Sequence, residues 1–287
     1  MKYIVEKALR LLPDRLYLQL LYFKHMKKFI NFKNPVSFSE KIQWLKLHDR
    51  NPLYITLVDK IAVKKYVAEK IGEKYIIPTL GVWNKPEDII WENLPNQFVI
   101  KWNHDSGSII ICKDKSKFNR KEAIGKLRHG ATFNGFWYGR EWPYKNVNPL
   151  IFAEKYMFDG ESELTDYKFF CFDGEPKYCQ VIKDRSTKET IDFFDLDWNH
   201  QEFIGLNRSV NFAQIRPIKP KCYEEMIILA CKLSSGFPFS RVDLYEINGD
   251  VYFGEITFYP ASGIGGFTPS SYDKILGNMI QLPLNKE

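Results

Sequence analysis

Two carboxylates and an arginine near the C-terminus carry the strongest chemical signal in this chain. In residues 240–257 (SRVDLYEINGDVYFGEIT), Asn248-Gly249 is a hairpin turn signal. A three-residue connection over 248–250, with Gly249 at positive φ, sets Ile247 against Val251. Asp243 then falls opposite Glu255 and Arg241 opposite Thr257, and strand alternation puts all four side chains on one face. Opposed carboxylates repel unless something positive lies between them. A hard divalent cation such as Mg²⁺ suits that place, because facing strands supply oxygen ligands. Two solvent-exposed acids, or Asp243 paired with Arg241, account for the same spacing. A two-residue connection would send the acids to opposite faces.

A second region could contact phosphates. Phe98-Val99-Ile100-Lys101 ends an apolar run in a lysine, and residues 103–108 (NHDSGS) follow as a polar loop. Small loop residues expose N–H groups that can cradle phosphate oxygens, with Lys101 beside them. An ordinary hairpin with an edge lysine reads the same way, and the pattern GxxxxGK[ST] does not occur. Between the two regions, residues 152–161 (FAEKYMFDGE) form a strand and turn that could line an adenosine pocket.

The elements that must hold these residues mix helices with antiparallel hairpins. Helices are expected over 39–48, 59–72, 121–128, 223–235 and 271–282. Strands are expected over 75–79, 81–83, 97–102, 108–113, 150–156 and 192–195, with hairpins of 166–172 with 176–182 and 241–247 with 251–258. This pattern indicates an α+β chain. The 287 residues are 45% hydrophobic and 26% charged, a soluble globular balance. The five cysteines (Cys112, Cys171, Cys179, Cys222, Cys231) include no CxxC pair and read as buried free thiols.

The net charge of +6 resides in residues 1–33, which hold eight Lys or Arg and two acids. The rest of the chain is balanced. Residues 1–33 read as two short helices around Pro13, either a cap packed on the body or a basic amphipathic segment in peripheral contact with a membrane. Nucleic-acid binding is not expected, because no recognition motif accompanies this charge. Without a signal-peptide pattern or a long apolar run, the expected compartment is the cytoplasm, at the inner face of the membrane if the basic segment engages lipid.

Taken in order, residues 34–46 (NPVSFSEKIQWLK), Asp59-Lys60, 98–108, 166–174 (DYKFFCFDG) and 241–266 resemble the TupA-like (teichuronopeptide biosynthesis) branch of the ATP-grasp superfamily. The resemblance implies an α+β ATP-grasp fold, with two lobes gripping ATP and a helical segment before them. The segments would be 1–50, 51–150 and 151–287. It implies ATP and Mg²⁺ as cofactors. Lys60 and Lys101 would contact the phosphates, and residues 103–108, with Ser106, Gly107 and Ser108, would form a lid. Glu154, Lys155, Tyr156 and Met157 would read the adenine, and Glu161, or Glu163 in competition, would take the ribose. Asp243 and Glu255 would hold the metal, with Thr257 where many relatives carry asparagine. Arg241 would hold an acyl phosphate, with Lys168 and Arg185 as the next catalytic candidates. The segment 261–267 (ASGIGGF) could present N–H groups to substrate. The implied activity is amide formation between a carboxylate and an amine, the partners being small-molecule or sugar substrates of surface-polysaccharide synthesis. A sugar transferase and a nucleotide-binding scaffold without turnover are its rivals.

Overall fold

The computed structural model describes residues 10–105, 107–131, 134–160, 163–206 and 209–283. Its helices are α1 (Asp14–Met26), α2 (Phe38–His48), α3 (Leu53–Val58), α4 (Val63–Ile71), α5 (Arg120–Gly130), α6 (Gly135–Gly139), α7 (Tyr223–Ser234) and α8 (Ser271–Met279). Local chemistry sets their ends. The Ser37 hydroxyl accepts from the Glu40 N–H while the Glu40 carboxylate accepts from the Ser37 N–H, a capping box that starts α2 one residue before the expected position. The stretch expected to begin a helix at Asp59 instead turns first. The Asp59 carboxylate accepts from the N–H groups of Ile61 and Ala62, and the helix starts at Val63.

Two antiparallel sheets organise the chain. The smaller has the order β1-β4-β2-β3, from Thr79–Trp83, Ile151–Lys155, Phe98–Trp102 and Ile110–Cys112. The larger has the order β11-β10-β5-β6-β7-β8. Its strands are β11 (Asp250–Thr257), β10 (Phe239–Ile247), β5 (Asp166–Phe172), β6 (Glu175–Lys183), β7 (Thr190–Phe194) and β8 (His200–Gln201). A short ribbon pairs β9 (Ile204–Gly205) with β12 (Phe267–Thr268). The first expected strand begins later than its sequence suggests: residues 73–75 form a 3₁₀ turn, Ile76 makes an isolated bridge to Phe253, and β1 starts at Thr79.

Each sheet has its own core. On the smaller, Ala123 and Leu127 of α5 pack with Phe98, Ile100 and Ile151. On the larger, Met226, Leu229 and Leu233 of α7 join Phe169, Val242 and Leu244. That core is rich in rings: Phe38 of α2 lies edge-on to Phe239 and Phe267, with centroids 5.0 and 5.7 Å away. Cys112, Cys171 and Cys179 are buried thiols as expected, whereas Cys222 is half-buried and Cys231 exposed on α7. Among the described residues, no helix is long and apolar enough to cross a membrane.

Candidate active site

The final hairpin brings the two acids together by a route its turn alone does not predict. Asn248 and Gly249 both have positive φ (56° and 88°) and form a two-residue connection, so Ile247 pairs with Asp250, not with Val251. Continued unbroken, that register would put Asp243 and Glu255 on opposite faces. A bulge intervenes. Leu244 pairs with Phe253, Asp243 pairs with Glu255, and Gly254 is the extra residue between them. Arg241 then pairs with Thr257. A Cβ at Gly254 would lie 3.0 Å from the Tyr245 ring and 3.1 Å from the Asp243 carbonyl oxygen. Gly254→Val is therefore expected to cost about 1–3 kcal/mol of stability, read as a lower denaturant midpoint with unchanged slope.

A guanidinium lies between the carboxylates. Arg241 donates from Nε and Nη2 to Asp243 at 2.7 and 2.8 Å, and from Nη2 to Glu255 Oε1 and Thr257 Oγ1, both at 3.1 Å. Beneath it, the Lys168 ammonium donates to Asp243 and lies 3.3 Å from Asp166, which also pairs with Arg185 at 3.0 Å. Lys60 Nζ lies 3.7 Å from Glu255 Oε2 and donates to the Asp105 carbonyl at 2.7 Å. Burial alone would raise the Glu255 carboxyl, but Lys60, Lys168 and Arg241 outweigh it and hold it down to about 2. Glu255 is thus ionised at neutral pH.

The donor set suits a metal that arrives with a polyphosphate. Mg²⁺ in nucleotide sites uses one or two carboxylates plus phosphate oxygens and water. Among the described residues, no group of three or more His, Cys, Asp and Glu forms a cage of its own. The Glu255 side chain is 36% exposed and Thr257 stands beside it, so both are open to such an ion. The Asp243 side chain is 2% exposed and its oxygens already accept from Arg241 and Lys168. It would ligate only by exchanging one of those cations for the metal.

A second lysine cluster lies on the smaller sheet. Lys101 of β2 and Lys64 of α4 converge on the buried Glu154 carboxylate of β4 at 2.6 and 2.7 Å. The Glu154 side chain therefore ties two lysines together across the smaller sheet. Lys64, four residues on from Lys60, escaped the sequence reading; that spacing was its one signal. The Lys155 N–H donates to the Pro78 carbonyl, and Tyr156 stacks near Phe158 with centroids 6.4 Å apart. Met157 is half-buried beside them. Burial raises the Glu154 carboxyl, yet Lys101 and Lys64 outweigh it and leave it below its ordinary 4.5. Its folded value lies below the unfolded one, so its contribution is complete above pH 4.5 and drains away as pH falls through the folded value. Glu154→Gln is expected to cost about 3 kcal/mol at neutral pH by leaving two lysines without their common partner. Denaturant melts at pH 7 and in acid should converge toward wild type on acidification.

The polar loop is anchored at its start. Asn103 donates from its N–H and its side-chain amide to the carbonyls of Leu150 and Asn148, and its side-chain oxygen accepts from the Leu150 N–H. The hydroxyl of buried Ser108 donates to the Asp105 carboxylate, and Gly107 is exposed with open space around its Cα. The expected site residues Ser106 and Glu161 lie outside the described residues. Glu163, the competitor for the ribose, accepts from the Ser186 N–H at 3.1 Å.

A cavity of about 590 Å³ opens onto this cluster, lined by Lys60, Arg241, Glu255 and Thr257 and, among others, by Tyr138, Tyr144 and Tyr259. Another hollow, of about 450 Å³ between β3 and α5, contains none of the expected site residues. The segment after β11 closes the first cavity. Ala261, Ser262 and Gly263 are consecutively left-handed (φ 45°, 52° and 62°). Lys46 Nζ holds them, donating to the Ser262 carbonyl and hydroxyl at 2.8 and 2.9 Å and to the Gly139 carbonyl at 2.8 Å. Gln43 adds bonds to the Ser262 and Gly263 carbonyls. The N–H groups of Ser262 and Ile264 are used within the turn, so these two do not point at a substrate as expected. Burial pushes the Lys46 ammonium down and the Glu141 carboxyl up. Neither residue was anticipated, because only the fold brings α2 against this turn.

Residues 40–281 match the family described as TupA-like ATPgrasp. No curated protein matches the chain. Among solved structures, a D-alanine–D-alanine ligase from Bacillus anthracis complexed with ATP is 17% identical, with a TM-score of 0.42 over 78% of this chain and 63% of that one. The D-alanine–D-alanine ligase from Helicobacter pylori is 13% identical, with a TM-score of 0.45 over 86% and 67%. The chain thus spans only 63–67% of the length of these ligases.

Proposed function

The chain belongs to the TupA-like ATP-grasp family, and from that premise we propose that it is an ATP-dependent carboxylate–amine ligase. A carboxylate oxygen of the acid substrate attacks the γ-phosphorus of ATP, the bond to the β-phosphate oxygen breaks, and ADP leaves. The acyl phosphate is then attacked at its carbonyl carbon by an amine nitrogen. The nitrogen loses a proton, phosphate departs with the carbon–oxygen bonding pair, and an amide remains.

What this chemistry needs from a protein is positive charge around the transferring phosphoryl group. The observation that carries the proposal is Arg241, which bridges Asp243 and Glu255 on the cavity wall beside Lys60. The pairs described hold the charges of Lys60, Lys168, Arg185 and Arg241 against those of Asp166, Asp243 and Glu255. One positive charge is left over, and a polyphosphate balances it. Lys60 and Lys101 meet the phosphates. Arg241 meets the acyl phosphate. Lys168 and Arg185 act by fixing Asp243 and Asp166, because Lys168 is buried beneath the guanidinium. Glu255 and Thr257, joined by Asp243, would hold Mg²⁺, whose contribution when bound is to neutralise phosphate charge.

The acid is a uronic sugar of a surface polysaccharide or its nucleotide-sugar precursor, and the amine an amino acid or small amine. The tyrosines lining the cavity support a sugar ring, with aromatic faces against its C–H groups and hydroxyls within reach. ATP is supplied in the cytoplasm, so the reaction belongs there.

The test is ADP release over uronic nucleotide-sugars crossed with amino acids and amines. The expected result is release only where acid and amine are both present. Consumption of nucleotide-sugar without ADP would replace the proposal with a sugar transferase.

A further inference from the structure

Helix α1 has two apolar faces, and only one of them is covered. Leu18 and Tyr22 are fully buried against Ile30 and Phe32, with Trp44 and Leu47 of α2 packed beside them. At 100° per residue, Leu16, Leu20 and Phe23 fall on the opposite side of the helix. They are 48%, 45% and 45% exposed. Phe29 stacks on Phe23 with centroids 4.7 Å apart and is itself 64% exposed. A helix that merely caps a body carries polar residues on its outer face. This one carries a continuous leucine and phenylalanine stripe.

The charges flanking the stripe are of one sign. Residues 10–33 contain six Lys or Arg and a single acid, Asp14, whose carboxylate pairs with Arg140 at 3.2 Å. Lys24 and Lys27 are exposed beside the stripe. This balance selects the occupant. A second copy of the chain, meeting stripe to stripe, would bring two sets of cations together. An anionic surface with an apolar interior satisfies both features at once.

We infer that the outer face of α1 docks the protein on an anionic phospholipid membrane, with Leu16, Leu20, Phe23 and Phe29 entering the acyl boundary and the flanking cations among the headgroups. His25, in the last turn of the same helix, borders the large cavity.

The test is co-sedimentation of the intact protein with phosphatidylcholine vesicles, with and without phosphatidylglycerol, at low and high salt. Binding should require phosphatidylglycerol and weaken with salt. The triple variant Leu16→Ser, Leu20→Ser, Phe23→Ser should bind about tenfold or more less strongly while remaining folded, with a melting temperature lowered by several degrees at most, since all three side chains are about half exposed. Should that variant fail to fold, Lys24→Glu with Lys27→Glu gives the same reading through charge. Wild-type binding that ignores lipid charge, or equal binding by a folded variant, overturns the inference. So does a wild type that dimerises through this face and leaves vesicles unbound.

Discussion

Arg241→Ala is expected to lower ADP formation by about 10³-fold, mostly in kcat, with a much smaller change in KM for ATP. Among the described residues, the guanidinium is the one side chain that touches Asp243, Glu255 and Thr257 together, and it borders the cavity. Its removal takes away the positive charge placed for the acyl phosphate and leaves Asp243 to Lys168 alone. Part of the effect will therefore appear as lost stability, and Arg241→Lys separates the two. A lysine keeps the charge but loses the forked contact, so that variant should recover stability more fully than turnover. Turnover within tenfold of wild type in Arg241→Ala would remove Arg241 from the reaction centre.

Glu255→Gln is the second large expectation. The substitution keeps the shape and removes the charge. Because the side chain is about a third exposed, solvent screens its ion pairs with Lys60 and Arg241, and the stability lost with the charge should stay within about 2 kcal/mol. ADP formation should nevertheless fall by about 10²–10³-fold, and its dependence on Mg²⁺ should shift to higher concentration. Asp243→Asn should behave differently. The Asp243 carboxylate accepts from two cations in a buried setting, and an amide cannot replace both of its oxygens. Its principal loss should be in stability. If the two variants lost stability and activity in the same proportion, Glu255 would be a structural acid like Asp243.

The pairing of Asp243 with Glu255 was legible in the sequence, though the reason for it was not. Alternation and Asn248-Gly249 placed the two strands, but a two-residue turn and a bulge at Gly254 cancel one another in their effect on register. Glycine before a strand acid looks the same whether or not it bulges, and the choice depends on what Tyr245 and Asp243 allow around it. The segment order also showed, because capping and periodicity are local. Contacts between distant elements did not. Nothing local to Glu154 showed that Lys64 and Lys101 reach it from a helix and a neighbouring strand. Lys46, buried under the left-handed turn 261–263, carried little signal: apart from Gln43 on its own helix, its partners are carbonyls and a hydroxyl from other parts of the chain, and backbone acceptors have no sequence signature. The outer face of α1 was half legible. Its composition showed broad apolar faces, and only packing reveals which of them is covered.

The central claim is that this chain activates a carboxylate by phosphorylating it. Transfer of carboxyl-¹⁸O from the acid substrate into inorganic phosphate tests it most directly, measured by mass spectrometry during turnover with ATP and an amine. One labelled oxygen should appear in each phosphate released, with an equal amount of amide formed. Phosphate free of label alongside product formation would contradict an acyl phosphate, and with it the role assigned to Arg241.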